Sequence, residues 1–512
     1  MDGVALSLFS SRVAAICEEA GAMLGRVAFS PNIRDRLDYS CALFDASGRL
    51  LGQATHMPVH LGSMAYAMAD LVQSRSWAPG DMVVLNDPYR GGTHLPDVTF
   101  VAPIFVGDQI AGFSANRAHH VDIGADAPGS MPLSHDLSEE GILLAPVKIV
   151  HKHEWVAEVL EPILDRLNDR AASLGDFSAQ VAANRLAAGR LRHLVEGMGL
   201  EHFQSSCAEL QRYARQLARD SLARLPNGRF RFADLMDDDG MGNTDIAIQV
   251  TIDIGEAEVQ VDFSGTAEQV QGNLNCPLPV TAAAVFYVFR CLMPDHVPPC
   301  HGAMEDIHLV APAGCLVNAR PPAAVAAGNV ETSTRIVDVV CGALATVVPE
   351  RIGAAAQGTM NNLAMGVRGD GGWDYYETIA GGHGASAGAN GRHARHSHMT
   401  NTLNTPVEVL ELNYPLWVEA YALRPASGGR GRFNGGDGVV RSYRFLSDAD
   451  VTILSERRRH APWGLEGGEA GARGNNRLDG QDIGGKFSSR VRAGQLLQVF
   501  TPGGGGYGSP EP

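Results

Sequence analysis

The sequence predicts an α+β protein: mixed, largely antiparallel sheets, a central helical segment and a glycine-rich, β-rich C-terminal part. Three observations carry that prediction. The first 153 residues hold short apolar runs bounded by turn residues, as paired strands do. Residues 154–226 change texture, with runs rich in Ala, Leu, Arg and Gln whose apolar positions recur three and four apart. Residues 350–512 are dense in glycine and break into short strand-like pieces around Gly381-Gly-His-Gly384, Gly428-Gly429 and Gly435-Gly436. At 512 residues the chain is too long for one ordinary core. Four regions follow: an α/β region over 1–153, a helical segment over 154–226, a mixed α/β region over 227–349, and the glycine-rich region over 350–512. No repeat of fixed period or low-complexity linker interrupts them.

Taken in order, Val4, Leu6, Leu8, Val13, Ile16, Ala20 and Leu24 set a helix over 4–28. Ser30-Pro31-Asn32 stops it, because proline disfavours helical geometry in the residue before it. Asp38–Asp45 and Arg49–Ala54 read as a hairpin about Ala46-Ser-Gly48, and Leu61–Val72 as a helix. Strands are expected at 81–86, 98–106 and 109–115, the last two joined at Gly107-Asp108. Residues 125–141 have no period and form an irregular loop, either a lid or plain surface. Phe177–Glu196 and Glu201–Arg224 make a helical hairpin joined at Gly197-Met-Gly-Leu200. Pro226-Asn-Gly228 ends it; strands follow at Ile246–Ile254 and Glu258–Phe263, then a helix at 280–292. Thr332 or Ser333 is expected to cap a helix, with Glu331 near its dipole. Gly503–Gly508 reads as a flexible or tightly turned tail.

Hydrophobic residues at 45% and charged ones at 19% describe a soluble globular chain. A net charge of -16 argues against nucleic acid, whose phosphates need clustered Lys and Arg. The eight cysteines form no C-x-x-C pair, which suggests a reducing compartment. The N-terminus lacks the pattern of a signal peptide, and no run of eighteen apolar residues exists to span a membrane. A cytoplasmic location is the expectation.

Histidines and carboxylates crowd into Asn86–Asp122. His94-x-x-Asp97 offers an imidazole and a carboxylate on a turn entering a strand, and His119 ends the strand region beginning at 109. If those strands pair as a hairpin, the three residues converge at one sheet end. Asp38 can add a second carboxylate from the first hairpin. Two His and one or two carboxylates leave a position open, the arrangement of a catalytic zinc or similar ion. His120 is an alternative ligand to His119, and Asp122 can orient an imidazole from behind. Arg90, in Asp87-Pro-Tyr-Arg-Gly-Gly92, can face an anion or simply lie on a turn. Gly480-Gln-Asp-Ile-Gly-Gly485-Lys486 fails as a phosphate loop: Phe487 stands where Ser or Thr must hold magnesium, and no apolar strand precedes it. No nucleotide site is visible.

Longer motifs add a resemblance. Ser30-Pro-Asn-Ile-Arg-Asp-Arg-Leu-Asp-Tyr-Ser-Cys-Ala42, His56-Met-Pro-Val-His-Leu-Gly-Ser-Met64, Asn86-Asp-Pro-Tyr-Arg-Gly-Gly-Thr-His-Leu-Pro-Asp97 and His119-His-Val-Asp-Ile-Gly124 resemble the hydantoinase B/5-oxoprolinase family. Gly328-Asn-Val-Glu-Thr-Ser333, His398-Met-Thr-Asn-Thr402, Glu456-Arg-Arg-Arg459 and Thr501–Gly508 are similar to it as well. The resemblance implies a metal held by Asp38, His94, Asp97 and His119, with zinc the first expectation and manganese the alternative. It also implies a division of labour. A partner of the A type, an actin-like ATPase, takes up ATP and phosphorylates the substrate, and this B-type chain completes hydrolysis of a small cyclic amide, the two assembling as an (AB)2 heterotetramer. In that scheme Asp38 alternatively serves as general base, and His120 and Arg90 polarise the substrate or its phosphate. The alternative is a component of an ATP-dependent ketone carboxylase of the acetone or acetophenone type; a scaffold without chemistry is the third reading.

Overall fold

Leu6, Phe9, Val13, Ile16, Cys17, Ala20 and Leu24 share one face of helix α1 (Gly3–Val27), and that face is buried. A computed structural model describes residues 3–510 except 55 and 370, with all their side chains except those of Leu61 and Ala69. After the short helix α2 (Pro31–Arg34), strands β1 (Tyr39–Asp45) and β2 (Leu50–Gln53) form the expected hairpin. Helix α3 (His60–Gln73) follows, then β3 (Met82–Leu85), β4 (Asp97–Val106), β5 (Gln109–His119), β6 (Val147–His151) and β7 (Glu154–Trp155). These strands make one antiparallel sheet in the order β2-β1-β5-β4-β3-β6-β7. Apolar residues of α3 pack on one face of it, beside Phe44, Val83, Val101 and Phe113.

The central helices are α4 (Ala157–Leu164), α5 (Arg170–Met198) and α6 (Leu200–Leu222), with α5 and α6 parted at Gly199, φ +85°. Phe177 and Val181 of α5 pack on the other face of the sheet, against Val84, Val98 and Phe100. With both faces covered, its central strands are apolar on both sides. A polar row on α5 reaches the same face: Gln180 and Asn184 donate to the carbonyls of Val98 (2.9 Å) and Phe100 (3.0 Å).

Strand β8 (Gly228–Asp238) is an element that the reading of the sequence did not mark, since its first strand after the helices began at Ile246. It pairs with β9 (Thr244–Ile254), and β10 (Val259–Asp262) and β11 (Ile307–Val310) complete the sheet β11-β10-β9-β8. Helix α7 (Leu278–Leu292) and helix α8 (Ser333–Ala345) pack together behind it. A π-turn, Gly328–Thr332, precedes α8, so Thr332 and Ser333 are not caps. Both already lie in helical geometry, and their hydroxyls donate to the carbonyls of Leu274 (2.5 Å) and Asn329 (2.6 Å).

The last region contributes β12 (Asn362–Val367), β13 (Trp373–Glu377), α9 (Val407–Asn413), β14 (Leu416–Arg424), β15 (Gly438–Phe445), β16 (Ala449–Leu454), β17 (Asn475–Leu478), β18 (Gln481–Asp482), β19 (Lys486–Val491) and β20 (Leu496–Phe500). They form two antiparallel sheets, β13-β12-β16-β19 and β14-β15-β20-β17-β18. Between them, glycine-rich segments run side by side on backbone hydrogen bonds. Gly382 N–H donates to Pro502 O (3.0 Å), Gly504 N–H to Gly436 O (2.9 Å) and Gly429 N–H to Gly504 O (2.8 Å). A Cβ on Gly382 would lie 1.9 Å from Gly436 O, so only glycine allows this spacing. Thr501–Gly506 is therefore a buried extended segment and not a flexible or tightly turned tail. One apolar core runs from Leu6 to Leu454 and joins residues of all four regions. Among the described residues no helix is long and apolar enough to cross a membrane.

Candidate metal centre

Asp97 begins β4 and His119 ends β5, and the hairpin register places them directly opposite one another. His94 lies on the turn three residues before β4. That turn is rigid because Asn86 spans it, donating to the carbonyls of Leu95 (2.8 Å) and Ile142 (2.9 Å) and accepting from Leu144 N–H (2.7 Å). Gly91, at φ +96°, lets the same turn touch α3: a Cβ there would stand 2.3 Å from the Ala67 backbone.

The result is a fully buried carboxylate ringed by imidazoles. His94 Nε2 lies 3.5 Å and His119 Nδ1 3.4 Å from Asp97 Oδ1, while His60 Nε2 lies 3.3 Å from Oδ2. Oδ2 also accepts from Thr93 Oγ1 (2.5 Å) and Asn329 Nδ2 (3.4 Å). Burial opposes the charge on Asp97, but His94 and His60, with hydrogen bonds from His119 and His60, hold it well below the usual carboxylate range. Burial pushes His119 below the ordinary imidazole value, with Asp97 and Asp38 pulling the other way. At neutral pH Asp97 is the anion of the site, and His119 is neutral, the form in which a metal binds.

Two ring nitrogens are left over. His94 Nδ1 faces Ala326 O at 3.2 Å, which turns Nε2 inward; there Nε2 has no hydrogen-bond partner, and neither has His119 Nε2. A buried polar nitrogen left unsatisfied costs about 1–3 kcal/mol. Ligand atoms of His94, Asp97 and His119 lie within 4.8 Å of one another. The two orphaned nitrogens and the anionic oxygen fit a divalent cation with positions left open.

Asp38 is buried beside these three and outside their group: its carbonyl accepts from His119 N–H (3.0 Å), and its charge favours protonated His119. The structure places His119, and not its neighbour, at the cluster. His120 turns to the opposite side of β5, where Nε2 lies 2.9 Å from Gln180 Oε1 and the ring meets Phe177. It lines a separate cleft of about 320 Å³ with Asp122, Asp176, Trp373 and Tyr414. Arg90 ends a 3₁₀ turn capped by Asp87 and is exposed.

Residues that the sequence did not single out complete the centre. His60 lies in a motif noted only for resemblance, and Thr93 within the histidine segment. Asn329 arrives from the π-turn. Arg117 lies buried beneath, donating to Thr99 Oγ1 (2.8 Å), Ser63 Oγ (2.6 Å) and Gly91 O (3.0 Å); burial lowers it to about 10 against the pull of Asp97. Tyr376 stacks on His119 at 4.7 Å, and its hydroxyl donates to Asn362 Oδ1 (2.8 Å). The loop 125–141 is no bland surface either. Buried Glu140 accepts from Val325 N–H (2.8 Å) and Ala326 N–H (2.9 Å), bracing the carbonyl that orients His94.

Comparison with known proteins concerns the chain as a whole. The family model for hydantoinase B/oxoprolinase matches residues 2–510. The chain belongs to the hydantoinase B/oxoprolinase family. A Methanocaldococcus jannaschii family member is 38% identical, covering 100% of this chain and 91% of its own. The 5-oxoprolinase 1 of Arabidopsis thaliana is 39% identical over 99% of this chain, which spans only 42% of that enzyme. The B component of a putative D-/L-hydantoinase from Pseudomonas sp. is 30% identical, covering 100% of this chain and 90% of its own. The ATP-dependent caprolactamase of Pseudomonas jessenii superposes with a TM-score of 0.92 at 25% identity, covering 99% of this chain and 91% of that one. An acetone carboxylase shares the fold, with a TM-score of 0.89 at 18% identity over 99% of this chain and 76% of its own.

Proposed function

We propose that this chain is the metal-binding B-type component of an ATP-dependent cyclic amidohydrolase, opening a hydantoin, 5-oxoproline or lactam ring that a partner chain has phosphorylated. The observation that carries the reading is the buried Asp97 carboxylate with two orphaned imidazole nitrogens beside it. The names of the relatives support the substrate class: hydantoinase, 5-oxoprolinase and caprolactamase all denote enzymes of cyclic amides. The caprolactamase is ATP-dependent by name, and this sequence shows no nucleotide motif, so ATP belongs to an A-type actin-like partner in an (AB)2 assembly. The 5-oxoprolinases, of which this chain spans about two fifths, carry room for both functions in one polypeptide. A cytoplasmic setting supplies the ATP.

His94, Asp97 and His119 would hold the ion, zinc first and manganese second, with Asp38 as the fourth group or a general base. When bound, such an ion supplies Lewis acidity that activates water and polarises a carbonyl near pH 7. Asp97 keeps its negative charge at neutral pH, and Ala326 O holds His94 with Nε2 inward. Tyr376, stacked on His119, closes one wall against bulk water. Arg90 and His120 are assigned to the phosphate or the partner surface, away from the ion.

Metal analysis of the purified chain is expected to find close to one divalent ion per chain, and His94→Ala to lose it together with activity. Ring opening with ATP is expected only when an A-type partner is added. Turnover by this chain alone would overturn the division of labour, and carboxylation of a ketone without ring opening would overturn the amidohydrolase reading.

A further inference from the structure

The two oxygens of Asp97 face different company. Oδ1 meets the imidazoles of His94 and His119, the pair with orphaned nitrogens. Oδ2 meets only groups that can donate: Thr93 Oγ1, Asn329 Nδ2 and His60 Nε2. His60 begins α3, and its other nitrogen, Nδ1, lies 2.9 Å from Ser40 Oγ on β1. Ser40 Oγ in turn accepts from Met57 N–H at 3.2 Å. The side chains of this line are buried, with Ser40 4% and His60 1% exposed.

The direction of the line follows from its carboxylate end, and the serine end is compatible with it. At one end a carboxylate can only accept, so His60 Nε2 must carry the hydrogen. At the other, Met57 N–H occupies one lone pair of Ser40 Oγ, leaving its O–H free to donate to the bare Nδ1 of His60. With Nε2–H turned to the carboxylate, His60 is a donor to Asp97, and Ser40 Oγ occupies Nδ1, so no lone pair of the ring is left toward the ion.

We infer that His60 is a positioning residue, not a ligand. Ser40 anchors the ring at Nδ1, and with Thr93 and Asn329 His60 holds Oδ2 so that Oδ1 alone is presented beside His94 and His119. The inference rests on the metal reading above and deepens it. A hydrogen-bonded carboxylate is held in one orientation before the cation arrives, and it gives up less charge to the cation than a free one, which leaves a stronger Lewis acid. Partners of this kind typically change metal affinity by about 10–100-fold.

The test is zinc affinity, measured by competition with a chromogenic chelator on the purified full chain, with thermal unfolding of each metal-free variant compared with the metal-free parent. His60→Leu is expected to weaken zinc binding by about 10–100-fold. His60→Gln, whose amide can still donate toward Oδ2, is expected to recover most of that loss. Ser40→Ala, which removes one buried hydroxyl, is expected to weaken binding in the same direction by a smaller factor, and it serves should His60→Leu not fold. Equal losses in the Gln and Leu variants would make His60 a ligand and overturn the inference, as would parental affinity in both His60→Leu and Ser40→Ala. A parent chain that binds neither zinc nor manganese would instead overturn the metal reading itself.

Discussion

At Asp97, one carboxylate answers five side chains, and the two oxygens divide them. His94, His60 and His119 hold the carboxylate in its charged form. Asp97→Asn is therefore expected to bring metal content close to zero and to destabilise the fold by about 1–3 kcal/mol, the cost of leaving buried hydrogen-bonding groups around Oδ2 imperfectly satisfied; metal analysis and denaturant unfolding check both. His120 is held by Gln180 on the other side of β5. His120→Ala is expected to cost about 1–3 kcal/mol because Gln180 Oε1 loses its donor in a buried place. Arg90, being exposed, is expected to tolerate Arg90→Ala within about 0.5 kcal/mol. A fall in activity at unchanged stability would then mark Arg90 as touching phosphate or partner.

At the scale of elements, the site is a product of registers. The β4–β5 hairpin puts Asp97 opposite His119. Helix α3 delivers His60 because Gly91 admits its backbone to the turn, and a π-turn before α8 delivers Asn329; such turns are often found at functional sites. The glycine segments do comparable work farther off by stacking bare backbone on bare backbone. Gly382→Ala is expected to destabilise by about 3 kcal/mol or more, since its methyl would collide with the Gly436 carbonyl and rigid backbone cannot yield. An unchanged melting temperature would refute that packing.

Across the whole molecule, charge is buried where regions meet. Arg457, from the C-terminal region, pairs with Asp234 of β8 at 2.8 Å and with Asp338 of α8. Lys486 pairs with Glu456 at 2.7 Å. Beside them Glu331 is pushed up to about 8 by burial, against Lys486, and Glu140 is pushed up to about 7, also by burial. Both carboxyls thus keep protons in the folded chain that the unfolded chain releases near pH 4.5. The stability that each of these two carboxyls contributes is full below that pH and falls as pH rises toward 7–8, by at most about 1.4 kcal/mol per pH unit for each group. Buried histidines lowered below the ordinary imidazole value, among them His396, work the other way as pH rises through about 6.5. The check is therefore a difference: between pH 5 and 8 Glu331→Gln, an amide close in shape to the neutral acid, is expected to gain stability relative to the parent in denaturant unfolding as pH rises. A parent-to-variant difference that stays constant over that interval would contradict protonated Glu331.

The sequence by itself determined the fold class, the hairpins, the helical centre and the family. These follow from local periodicity, from turn chemistry and from motifs that a linear reading contains. It also brought His94, Asp97 and His119 together, because one hairpin spans them and its register is a short-range matter. The tertiary structure decided the rest. Whether His119 or His120 faces the cluster turns on which face of β5 α5 covers, and Gln180 claims His120 from there. The buried glycine tail takes its form from neighbours distant in sequence, while β8 is held by the hairpin it makes with β9. Asn329 reaches Asp97 across 232 residues, and His60 reaches it from a helix whose seat is a glycine turn. Spacing carries no trace of such contacts, because long-range packing, and not local preference, sets which side chains share a buried space.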